Sequence, residues 1–146
     1  MNRRKGEEGY SLMETLFVLS IFLVMVTIIP IYLVKIHEHF ETEFLLRKIK
    51  TDIYQAQMYS LTKERIVLAS FSPSEKQYVF RDPYEGNITK WTTSEHVNII
   101  YGRMNNFRFK SNGNIDPFGT LYIKIFQRNY AFTFHIGRGR FEVKMP

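Results

Sequence analysis

Hydrophobic side chains follow three regimes along this chain of 146 residues. From Thr15 to Val34 the run TLFVLSIFLVMVTIIPIYLV holds no charged residue. As a helix it would rise about 1.5 Å per residue and reach roughly 30 Å, the thickness of a bilayer's hydrocarbon core. From Ile36 the pattern turns amphipathic. Ile36, Phe40 and Phe44 recur every four residues, then Leu46, Ile49, Ile53 and Ala56 at three and four, with charges such as Glu38, Glu41, Arg47, Lys50 and Asp52 between them. The spacing predicts one helix from about Ser11 to about Thr62. Its first half suits lipid or an apolar assembly, and its second half suits packing on a globular domain.

Beyond Thr62 the period shortens to two. Strands are expected over Ile66–Phe71, Gln77–Arg81, Val97–Tyr101, Phe107–Lys110, Leu121–Phe126, Ala131–Ile136 and Phe141–Met145. Turn residues separate them: Ser72-Pro73-Ser74, Asp82-Pro83 to Gly86-Asn87, Ser111-Asn112-Gly113-Asn114, Asp116-Pro117 to Gly119, and Gly137-Arg138-Gly139. Apolar residues alternate with polar or amphipathic ones in Tyr122-Ile123-Lys124-Ile125 and Phe132-Thr133-Phe134-His135, so one sheet face can cover the helix while the other meets solvent. The expected fold class is α+β, a long N-terminal membrane-spanning helix packed at its C-terminal half against an antiparallel β-sheet. The expected divisions are 1–9 (a polar leader), 10–34 (the span), 35–62 (the amphipathic continuation) and 63–146 (the β domain).

Pro30 interrupts the apolar run. It removes a backbone donor and crowds the carbonyl four residues back, which predicts a helix break, a kink or melted turn near Val26–Pro30. Membrane helices also tolerate proline, so both readings of Pro30 stand at this point.

Charge gives the segment an orientation. Arg3, Arg4 and Lys5 precede the span and favour a cytoplasmic N-terminus. Lys35 on the far side weakens that asymmetry without reversing it. The expected location is therefore the cell membrane, single-pass, with the C-terminal domain outside. A secretory signal peptide fits less well: its apolar region is usually about 7–15 residues, and here no small-residue cleavage site follows, since the chain continues Lys35-Ile36-His37-Glu38. A buried core helix of this hydrophobicity is more than so short a chain can enclose. There is no cysteine, so no disulfide staples the outer domain. The aromatic share of 16% suits a β-rich core, and the formal charge of +6 is mild and spread out.

No catalytic constellation emerges. His37 and His39 are two apart on a helix and point about 200° apart, a poor metal pair. His96 and His135 lie in or beside strands with no ligand pattern. Neither an enzyme activity, nor a cofactor, nor a metal is expected. Direct DNA contact is a further possibility of the outer domain. Arg103, Arg108, Lys110, Lys124, Arg128, Arg138 and Arg140 interleave with Tyr101, Phe107, Phe109, Tyr122 and Phe141. The same alternation also arises when one strand face is solvated and the other packed. Arg138 and Arg140, flanking Gly139, are the first candidates.

Ahead of the apolar run stand the leader MNRRKGEEG, then Tyr10, then Glu14. A carboxylate at the mouth of a membrane span is costly and asks for a reason. Leader, glycine, aromatic residue, glutamate four positions on and a long apolar helix together resemble the class III signal of type IV pilins and pseudopilins. The resemblance implies that a prepilin peptidase cuts between Gly9 and Tyr10 and that the new N-terminus of Tyr10, where the family more often has Phe, is N-methylated. It also implies that Glu14 pairs with an α-amino group, its own or a neighbouring subunit's, as the helix leaves lipid for a filament. A buried charge is tolerable when paired, and Tyr10 and Glu14 share one helix face. A proline near Pro30 recurs in that family too, where helix melting accompanies assembly.

A second resemblance lies in the C-terminal half. Phe107-Arg108-Phe109, Ser111-Asn112-Gly113, Phe118-Gly119-Thr120-Leu121-Tyr122-Ile123 and Ile136-Gly137-Arg138-Gly139-Arg140-Phe141-Glu142-Val143 follow in that order. They resemble the closing hairpins of H-type minor pseudopilins of secretion systems and, more closely, of the D minor pilins of DNA-uptake pili in Gram-positive bacteria. The implied function is a minor pilin of a competence-type pilus. Its partners would be prepilin peptidase, other major and minor pilins, and membrane lipid before assembly, with cell-surface exposure afterwards. The alternatives are a minor pseudopilin of a type II secretion system, or an unprocessed single-pass membrane protein with an extracellular binding domain.

Overall fold

The computed structural model describes residues 12–136 and 139–146, apart from the side chains of 29–34. Gly9, Tyr10 and Arg138 lie outside the described residues, as does the leader. Helix α1 runs from Leu12 to Thr62 as one element of 51 residues. The backbone stays helical through Pro30, so no melted turn interrupts α1 there. Proline deletes a single donor, and the uncharged residues around it offer no competing partner for the freed carbonyl. Among the described residues no helix is long and apolar enough to cross a membrane; the expected span, 10–34, begins at Tyr10 and ends in positions 29–34, which are not all described.

By internal contacts the chain divides at Glu41/Thr42 into two compact units. As far as described, the first is the N-terminal part of α1 alone. The second holds the rest of α1 and nine strands: β1 Val67–Ser72, β2 Gln77–Asp82, β3 Gly86–Thr92, β4 Val97–Ile99, β5 Asn106–Phe109, β6 Ile115–Asp116, β7 Gly119–Ile125, β8 Arg128–Phe134 and β9 Phe141–Lys144. One 3-10 turn, Arg103–Asn105, precedes β5. The strands form two antiparallel sheets, in the orders β3-β2-β1-β5-β6 and β4-β7-β8-β9.

Alternation decides which residues enter the core. Val67, Ala69 and Phe71 of β1, Tyr78 and Phe80 of β2, Phe107 and Phe109 of β5, Leu121, Ile123 and Ile125 of β7, and Phe132 and Phe134 of β8 all point inward. They meet Leu45, Leu46, Ile49, Ile53 and Ala56 of α1 in one cluster. The expected stripe Leu46-Ile49-Ile53-Ala56 is thus the packing face. Ile36, Phe40 and Phe44 are exposed instead, because four-residue steps drift round the helix away from that face.

Two strands escape the sequence pattern. β3, Gly-Asn-Ile-Thr-Lys-Trp-Thr, is half-exposed on both faces, as an edge strand is, and reads as a turn extended by polar residues. β6 is two residues long and pairs only with β5. Both form the edges of the first sheet, and the strands make two sheets where one was expected.

Candidate assembly surface and outer cleft

From Leu12 to Ile28 the apolar side chains of α1 are exposed all round, from 45% at Ile21 to 81% at Leu12. So large an apolar surface needs a partner of its own kind. The polar groups inside it are already satisfied. Thr15 Oγ1 donates to the Leu12 carbonyl at 2.9 Å, Ser20 Oγ to Phe17 at 2.8 Å and Thr27 Oγ1 to Val24 at 2.8 Å. Hydroxyls turned back on their own helix leave no polar demand on the surroundings, which is what a medium without water requires. The sequence pattern alone did not show this. The charged exception is Glu14, in the first turn of α1, where the helix dipole favours a carboxylate. Gly9 and Tyr10, its expected processing companions, lie outside the described residues.

Polar contacts fix α1 to the first sheet. Asp52, nearly buried, accepts hydrogen bonds from Tyr78 Oη and from Lys48 Nζ, the latter at 3.2 Å. Burial first, and then the Asp52 carboxylate, push the Tyr78 hydroxyl far above its ordinary pKa. Lys48 also lies 5.5 Å from the Trp91 ring centroid, and Trp91 packs on Tyr78 at 5.3 Å. At the C-terminal end of α1, Tyr59 Oη donates to Glu85 at 2.7 Å and to Asp82 at 3.1 Å. Asp82 caps the turn after β2 by accepting from the Tyr84 and Glu85 amides at 2.7 and 3.3 Å. These bonds, the Tyr84 amide foremost, hold its carboxyl below the usual range, and the Tyr59 hydroxyl does the same for Glu85. Arg65 closes the group with Glu85 at 2.7 Å.

The expected basic and aromatic surface separates into different roles. Phe107 and Phe109 are core residues and cannot stack on a ligand. Arg108 and Lys110 are taken up by Asp116, at 2.7 and 3.7 Å. Phe141 packs on Tyr54, with ring centroids 4.8 Å apart. Arg140 is exposed, and Arg138 lies outside the described residues. Tyr101, Arg103 and Tyr122 do come together. With Phe118, Met104 and Pro117 they line a cleft of about 610 Å³ at the 3-10 turn. The histidines stay apart: His37 faces Glu41 at 3.6 Å, and His96 stacks on Phe126 with centroids 4.4 Å apart. Among the described residues no group of His, Cys, Asp and Glu is arranged to hold a metal.

A long N-terminal helix, bare and apolar from Leu12 to Ile28 and packed on antiparallel sheets from Leu45 to Ala56, defines a pilin-like α+β fold. Among solved structures the chain is similar to the minor pseudopilin EpsH from the type 2 secretion system of Vibrio cholerae. The TM-score is 0.55 at 12% sequence identity, over 71% of this chain and 96% of that one. At that identity the likeness is one of fold. No family model and no curated protein matches the sequence.

Proposed function

We propose that the chain is a minor pilin of a competence-type pilus, held in the membrane by α1, cut between Gly9 and Tyr10 and then loaded into a filament with other pilins. The observation that carries this reading is the bare helix surface from Leu12 to Ile28, with its hydroxyls internally bonded and Glu14 in its first turn. Such a surface is compatible with lipid before assembly and with neighbouring helices afterwards. Glu14 supplies the carboxylate that an incoming N-terminal amine would pair with, and pairing offsets the cost of burying either charge. The role is structural, in starting or capping the filament, and no catalytic group is called upon. Removal of Gly9–Tyr10 cleavage should therefore remove function while leaving the outer fold unchanged.

A second reading has its own support. The similar fold belongs to a subunit of a secretion system, so a minor pseudopilin of a type II secretion filament uses the same helix logic. Transformation frequency in an in-frame deletion, complemented by wild type or by Gly9→Val, separates the two. Loss of transformation restored by wild type alone supports the competence reading. Normal transformation of the deletion in a competent strain contradicts it and favours secretion.

A further inference from the structure

The cleft beside the 3-10 turn is built differently from the rest of the outer surface. Its rim carries Tyr101 at 77% exposure, Phe118 at 60% and Tyr122 at 43%. Exposed rings gathered on one cleft present faces that no core contact uses. Arg103 stands among them. Arg47, Arg65 and Arg108 each face a carboxylate; among the described residues Arg103, like Arg81, Arg128 and Arg140, has no carboxylate partner, and of these four it is the one that lines the cleft. The lining contains no acidic side chain. Nearby acids are already engaged, Asp116 by Arg108 and Lys110, and Glu142 by Lys144 at 3.0 Å. Lys124, two residues beyond Tyr122 on the same face of β7, extends the positive strip.

The cleft is also preformed. Asn105 ties the turn down by donating to the Phe71 and Ile100 carbonyls at 3.2 and 3.1 Å, and it accepts from the Gly102 amide. Met104 is buried beneath it, and a Cβ on Gly119, whose φ is +154°, would lie 2.8 Å from Met104 Cγ. Glycine there lets β7 close on the turn, so Tyr101 and Arg103 stand on a braced loop.

From rings with free faces, an unpaired guanidinium and a surrounding without spare carboxylates, we infer that this cleft binds single-stranded nucleic acid. Bases stack on Tyr101, Phe118 and Tyr122, and Arg103 meets a phosphate, with Lys124 placed for the next one. A saccharide site would want acidic or amide side chains aimed into the cleft, and the lining has none. The volume is within the roughly 300–1,000 Å³ of small-ligand sites, enough for a short stretch of strand. The inference concerns the outer unit alone and does not rest on the filament reading.

The test is fluorescence anisotropy of a labelled thymidine oligomer with the full chain in mild detergent, over a salt series. Wild type should bind, with affinity falling as salt rises. Arg103→Ala should weaken binding and reduce the slope of log K against log salt by about 0.7. Tyr101→Ala and Phe118→Ala should each weaken it roughly fivefold or more. Arg128→Ala, outside the cleft, should leave it unchanged. Both rings are exposed, so unaltered thermal unfolding of each variant is expected and shows that the loss is local. No binding by wild type at low salt would overturn the inference. So would equal weakening by Arg128→Ala, or normal oligomer binding by cleft variants that have instead lost capture of another pilin subunit.

Discussion

The contact of Asp52 with Tyr78 should be the polar lock between α1 and the first sheet. Tyr78 is 1% exposed and Asp52 6%, so neither group can turn to water when its partner is removed. Asp52→Ala leaves the Tyr78 hydroxyl buried and unsatisfied, which costs about 1–3 kcal/mol, and it also releases Lys48. Tyr78→Phe removes a hydrogen bond to a charged group, worth about 1.5–3 kcal/mol. The two changes delete the same interaction. The double variant should therefore be less destabilised than the sum of the singles, by a coupling of about 0.5–3 kcal/mol. Trp91 is the one tryptophan of the chain, and it packs on Tyr78 with Lys48 over its ring. Its emission through a urea titration of the full chain in mild detergent reports unfolding at this position. Additive single and double variants, or a neutral Asp52→Ala, would refute the reasoning.

Three further outcomes follow from named contacts. Asp82 and Glu85 have lowered carboxyl pKa values, so their contribution is complete above the unfolded range, near 4, and is lost as pH falls through the lower folded values. Asp82→Asn should flatten the acid limb of a melting-temperature profile taken below about pH 4.5, and an unchanged limb would count against the network. Gly139 has φ +60°, and a Cβ there would meet the Gly113 carbonyl at 2.6 Å. Gly139→Ala should cost at least about 1–2 kcal/mol in the same urea assay, and a neutral variant would show that the loop adapts. Glu14→Leu should leave cleavage after Gly9 largely intact but impair N-methylation or incorporation into filaments, read by mass spectrometry of the membrane and filament fractions; normal incorporation would contradict the pairing argument.

The helix was legible because its two faces obey one period for so long. Ile49, Ile53 and Ala56 fall on the packing face by spacing alone, and the end at Thr62 coincides with the change from helical to alternating order. The central strands were legible for a similar reason: β7 buries Leu121, Ile123 and Ile125 at every second position, and β8 does so with Tyr130, Phe132 and Phe134 while Ala131 is buried as well. What hid β3 is that an edge strand need not alternate, and Asn87, Thr89 and Lys90 read as loop residues. The division into two sheets depends on pairings such as Val67 with Phe109 and Val97 with Ile125, which link distant segments and leave no local trace. Candidate contacts divide in the same way. Sequence marks Arg108 and Arg103 as equivalent basic residues, and only the fold places Asp116 beside one and three exposed rings beside the other. Phe118, part of the hairpin resemblance, is not marked as a contact by sequence because it follows Pro117 in a turn, where an aromatic residue has no periodic neighbour to announce it.

Pro30 shows the limit of a local rule. A missing donor allows either a melted turn or a tolerated proline, and the backbone is helical from Leu12 to Thr62, as the second reading has it.

The central claim, a processed helix loaded into a filament, is tested most directly by blotting surface filaments sheared from cells that make either wild type or Gly9→Val. The account predicts a chain shortened to begin at Tyr10 in the wild-type filaments, and an uncut chain confined to the membrane in the variant. Full-length chain in both strains, distributed alike between membrane and filaments, would contradict it.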